Sequence, residues 1–132
     1  MKARLIACLI AATLAGCSSS EPSLPIVKAP HGGTLRTLPG GSGNVEVVRD
    51  DPTDKPGQTV ITAYYYDAEM KPMSPTPGSA SLRSRDRKVG TVALKPAGDA
   101  LASDPFAANG GIDGELSATI GGKPVAVAIS LR

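Results

Sequence analysis

The chain has no tryptophan, one phenylalanine, three tyrosines, one histidine and two cysteines in 132 residues. With so few rings, the core has to be built on Val, Ile, Leu and Ala. The shortage of histidine and cysteine excludes the paired ligand spacings of a zinc site. No serine stands in a nucleophile-elbow setting, and there is no phosphate loop and no dinucleotide fingerprint. No pair of carboxylates is marked by an apolar pocket that would set it up for acid–base work. An enzyme is therefore not expected. Long apolar runs are missing too: Leu5–Ala15 spans eleven residues, whereas a membrane-crossing helix needs roughly 20.

Glycine and proline, in contrast, are plentiful, with 15 and 12 copies scattered along the chain. Short apolar segments broken so often by turn formers are the composition of a small all-β domain.

The start of the chain has a basic beginning (Lys2, Arg4), the apolar run and then Leu14-Ala15-Gly16-Cys17. A positive region, a short apolar region and small residues at its end form a secretory signal. With a cysteine directly after Gly16, the four residues resemble the lipobox of bacterial lipoproteins. That resemblance implies cleavage between Gly16 and Cys17, a diacylglyceryl group on the Cys17 sulfur and an acylated (palmitate-type) amine. Two or three chains make attachment long-lived, at ~0.8 kcal/mol per buried methylene. Ser18 resembles the outer-membrane class, since aspartate at that position tends to mean retention in the inner membrane. The other cysteine, Cys8, lies in the discarded segment, so the mature chain would have no disulfide.

Loss of residues 1–16 would leave 116 residues, with twelve basic and twelve acidic side chains. That is one domain plus a tether, with no basic excess to attract nucleic acid. Residues 17–30 read as the lipidated cysteine and a disordered Ser/Pro-rich tether. Its reach is ~20 Å as a flexible coil and ~40 Å if the prolines extend it. The alternative is that Leu24-Pro25-Ile26-Val27 packs on the domain as an edge segment.

Residues 31–132 read as the β domain. Strands are expected over 33–38, 44–49, 58–66, 79–84 and 88–94, and a final hairpin pairs 116–120 with 125–131 across Gly121-Gly122. In the third strand Ile61, Ala63 and Tyr65 take one face, and Thr62, Tyr64 and Tyr66 the other. Residues 99–108 allow a turn of helix, shortened by Pro105. About seven short strands with frequent turns suggest a small immunoglobulin-like two-sheet sandwich; a small β-barrel is the alternative. Pro30-His31-Gly32-Gly33-Thr34-Leu35, Val45-Glu46-Val47-Val48 and Ala63-Tyr64-Tyr65-Tyr66-Asp67 with Lys71-Pro72 also resemble a small periplasmic β module. It occurs as stand-alone proteins and beside metal-efflux adaptors.

Several side chains stand out as candidate contacts. Tyr64 and Tyr66 could present rings to a partner or a glycan. Arg83, Arg85 and Arg87, at alternate positions, would share one face of a strand; they could meet anionic groups, or simply guard a sheet edge. His31 with the thioethers of Met70 and Met73 would suit Cu(I), although a turn histidine with two loop methionines explains them as well. Asp50, Asp51 and Asp54, and the stretch Asn109–Glu115, read as turns before calcium loops.

The expected function is that of a lipid-anchored, periplasm-facing binding or structural lipoprotein of the envelope, with no cofactor and no nucleic acid. Its partners would be the membrane, through Cys17, and an envelope protein or polymer. A copper-binding or metal-efflux accessory domain is the alternative.

Overall fold

The structure, a computed structural model, describes residues 27–132. The segment expected to be a signal peptide, Cys17, Ser18 and the expected tether as far as residue 26 lie outside the described residues. Val27 is half exposed.

The domain is all-β, with no α-helix among the described residues. Ten strands run in the order β1 (Thr34–Thr37), β2 (Asn44–Asp50), β3 (Gln58–Tyr66), β4 (Pro72–Met73), β5 (Ser81–Ser84), β6 (Thr91–Ala97), β7 (Ala100–Ser103), β8 (Phe106–Ala107), β9 (Ile112–Ile120) and β10 (Lys123–Leu131). All pairings are antiparallel. The ladders form one path, β1-β2-β3-β7-β6-β5-β9-β10, with β4 and β8 as short additions to β3. β1 and β10, the two ends of this path, come within 8 Å of each other at Cα without sharing a ladder. The sheet thus curls into a nearly closed barrel, and of the two architectures expected from the sequence the barrel is the one that fits.

β6 makes the corner. Its first half, Thr91–Ala93, pairs with β5, and its second half, Leu94–Ala97, pairs with β7. At the changeover the Leu94 N–H donates to the Ala80 carbonyl at 3.0 Å, one rung further in the β5–β6 register, while Leu94 also pairs with Ser103 of β7. A strand that passes from one sheet direction to another in this way forms a corner.

Alternation decides what faces inward. Val45 and Val47 of β2, Ile61, Ala63 and Tyr65 of β3, Leu116 and Ala118 of β9, and Val125, Ile129 and Leu131 of β10 are buried and share one core with Leu38, Leu82 and Leu94. The last hairpin is as expected, with Ile120 opposite Lys123 and Gly121 and Gly122 at φ +58° and +79°. Two successive positive φ values are what a two-residue turn on twisted strands requires.

Two local expectations change. Residues 99–108 are strand rather than helix: Gly98-Asp99 closes a two-residue turn, Ala100 pairs back on Ala97, and β7 continues to Ser103. The Ser103 hydroxyl accepts the buried Ile61 N–H at 3.0 Å, supplying the partner that the short β3–β7 ladder does not. A helix there would leave that N–H without an acceptor. The arginine stripe also dissolves. β5 ends at Ser84, so only Arg83 lies on the strand, while Arg85 and Arg87 occupy the turn to β6. β5 sits between β6 and β9, so it guards no edge.

Candidate functional site

The outer face of β2 and β3 carries one acid that the sequence pattern treats as a surface residue. In the register Glu46 lies opposite Tyr64, and Asn44 opposite Tyr66. Alternation sends these four away from the core, yet Glu46 is 0% exposed. Its cover is the turn Pro30-His31-Gly32-Gly33, closed by the Gly32 N–H donating to the Ala29 carbonyl at 3.2 Å.

That turn wraps the carboxylate. The N–H groups of His31 and Gly33 both donate to Oε1 at 2.8 Å. Oε2 receives His31 Nδ1 at 3.0 Å and the Tyr66 hydroxyl at 3.3 Å. A carboxylate offers about four acceptor positions, and here four donors fill them. Gly33 must come close to do so: a Cβ on it would stand 2.5 Å from the Val47 carbonyl oxygen. Only glycine allows this approach.

The electrostatics follow from the contacts. Burial is the largest influence on Glu46 and pushes its pKa up, but the donors of Gly33 and His31 together outweigh it. The carboxyl is held below its ordinary 4.5. Tyr66 is pushed up to about 12, first by burial and then by the Glu46 carboxylate beside it. A carboxylate next to Nδ1 favours the histidine tautomer protonated there, leaving Nε2 with the lone pair. The His31 ring is parallel to Tyr64, centroids 3.7 Å apart and planes 9° from each other. The imidazole is thus clamped from below and from one edge, and its side chain remains 40% exposed.

The other residues singled out in the sequence lie as follows. Tyr64 is half-buried under His31, and Tyr66 is buried with its hydroxyl on Glu46 and His31, so Tyr66 offers no surface to a partner. Met70 stands at φ +63°, its sulfur taking a contact from Asn44 Nδ2 at 3.5 Å. Met73 is opposite Tyr65 and packs against the core. His31 and Met70 therefore belong to the outer face and Met73 to the inner one, so the three do not converge. Among the described residues no group of three or more His, Cys, Asp or Glu side chains is placed to hold a metal ion. Asp51 is engaged by the hydroxyl of buried Thr59 and by Arg49 Nε at 3.0 Å, both of which lower its pKa. Arg83 pairs with Glu115 at 3.1 Å on the surface, and Arg85 and Arg87 are exposed.

His31 is conspicuous in the sequence, whereas Glu46 is not. The available signal was a carboxylate within a run of valines, thirteen residues after a glycine pair; what hid it was the register, which no local pattern fixes.

Comparisons with protein families, with curated proteins and with solved structures give no match to this chain.

Proposed function

We propose that this is a non-enzymatic, lipid-anchored binding protein of the bacterial envelope, attached through Cys17 and facing the periplasm, with Ser18 assigning it to the outer membrane. The lipobox and the Ser/Pro-rich tether support the location. The observation that supports binding over catalysis is the saturation of Glu46. An acid with four donors on it and a lowered pKa has neither a free lone pair to accept a proton nor a proton to give. What it does is orient the turn and the imidazole. His31 over Tyr64 then presents a fixed aromatic surface with one outward nitrogen, suited to an envelope protein or polymer. Anchoring raises the effective concentration of the domain near membrane-bound partners.

Replacing Cys17 with Ser tests the location. The expected result is loss of membrane sedimentation and of an N-terminal mass that begins at acylated Cys17; unchanged sedimentation would overturn it. Crosslinking in cells, comparing native protein with His31→Ala, tests the surface: the captured partner is expected to be lost from the variant. The copper alternative retains one imidazole and one thioether on the outer face. Anaerobic Cu(I) titration is expected to give no binding tighter than millimolar.

A further inference from the structure

Every ladder along the path β1-β2-β3-β7-β6-β5-β9-β10 is antiparallel, so successive strands alternate in direction. The end of the barrel at which Thr34 opens β1 is therefore also the end at which β2 and β5 finish and β3 and β6 begin. The leader up to Pro30 joins the domain at this end, and two connections lie there, residues 51–57 from β2 to β3 and residues 85–90 from β5 to β6. In a nearly closed ring β2 and β3 stand across from β6 and β5, so the two connections occupy opposite sides of the rim.

Their charges differ in sign. On one side Asp50, Asp51 and Asp54 outnumber Lys55, and Arg49 is paired with Asp51 at 3.0 Å. On the other, Arg85, Arg87 and Lys88 stand against Asp86 alone. Asp86 is turned back into its own connection: Oδ1 accepts the Lys88 N–H at 2.9 Å, and its carbonyl accepts the N–H groups of Val89 and Gly90 at 3.1 and 3.0 Å. The backbone of the tip is fixed by these bonds, while the side chains of Arg87 and Lys88 are exposed and make no ion pair among the described residues. Asp113 lies near both Arg132, at 3.6 Å, and Arg85, one carboxylate for two guanidinium groups. At the far end of the barrel Lys71 and Lys123 are outnumbered by Asp67, Glu69 and Asp99.

We propose that the 85–90 tip docks on an anionic phospholipid surface, the one that holds the anchor, and tilts the barrel so that the wall bearing His31 and Tyr64 points away from the lipid. The same surface repels the acidic 51–57 connection, which adds to the tilt. The proposal rests on the reading of Cys17 as a lipid anchor. One Lys or Arg near an anionic surface is worth about fivefold in a bound-to-free ratio, so Arg87 and Lys88 together give about 30-fold. That is too little to recruit a free protein. For a domain held at millimolar effective concentration by a short linker, it is enough to set orientation.

The test uses the acylated protein in vesicles, with a fluorophore on a new thiol at Thr91→Cys, beside the tip, or at Thr53→Cys, in the acidic connection; both positions are exposed. A nitroxide on the lipid headgroups quenches whichever label lies against the surface. In vesicles containing phosphatidylglycerol, quenching is expected to be several-fold stronger at position 91 than at 53. The difference should vanish in phosphatidylcholine alone, and at about 1 M salt, where the screening length is about 3 Å. Arg87→Gln with Lys88→Gln should also remove it, as the docked-to-free ratio falls about 30-fold. Lys71→Gln with Lys123→Gln, at the far end, should leave it unchanged. Equal quenching at the two positions with phosphatidylglycerol, stronger quenching at 53, an undiminished difference in phosphatidylcholine, or an equal loss from the far-end pair would each overturn the proposal. An intact mass without acyl chains on Cys17 would overturn the anchor reading itself, and this proposal with it.

Discussion

Glu46 shows how one side chain can organise its neighbourhood. An isolated buried carboxylate would be neutralised or expelled; here the chain folds back to supply donors instead. Tyr66→Phe removes one of the four donors and is expected to cost about 1 kcal/mol, read as a lower urea midpoint with unchanged slope. Glu46→Gln is expected to cost more, ~1–3 kcal/mol, because an amide turns an –NH₂ toward a group that also donates. The sign of the pH dependence follows from the lowered Glu46 pKa. A carboxyl whose pKa is lower folded than unfolded adds stability above its ordinary value, and this is lost as pH falls through the folded one. The difference between native protein and Glu46→Gln should therefore be full at neutral pH and shrink below about pH 4.5. Urea titrations at pH 7, 5 and 3 would measure it.

Strands and turns were legible in unequal measure. β3 and the β9–β10 hairpin could be read from the sequence because both signals are local: alternation of period two, and a glycine pair flanked by it. A β-branched residue at Gly121, whose φ is +58°, should cost about 1–2 kcal/mol, which Gly121→Val would show as a lower thermal midpoint. β7 was not legible. Ala100–Ser103 is too short and too rich in alanine to declare itself, and it is strand because β6 and β3 lie on either side of it. Its serine is the link that matters. Ser103→Ala leaves the buried Ile61 N–H without a partner, and a loss of about 1–3 kcal/mol is expected. Ser103→Thr, which keeps the hydroxyl, should recover part of it. The arginine stripe failed for a related reason: spacing alone cannot show that a strand stops at Ser84.

For the molecule as a whole, composition was sufficient for the all-β class but not for closure. Whether two layers remain separate or curl into one depends on β6 serving both β5 and β7, a long-range matter invisible to any window of sequence. The candidate site was half visible for the same reason. His31 and the tyrosines attract notice by their type, whereas Glu46 becomes meaningful only once β2 is placed against β3 under the turn.

The cover over Glu46 is supplied by the first residues of the domain, immediately after the segment that would lead to the membrane. Any tension on that leader enters the barrel at His31 and Gly33, before it reaches a single sheet ladder. The clasp is then a mechanical fuse. Under load it should release first, in one step, and peel β1 from β2 while the remaining strands stay closed. Stretching single molecules from the N-terminus should show this early event in the native protein, and Glu46→Gln should shift it to lower force.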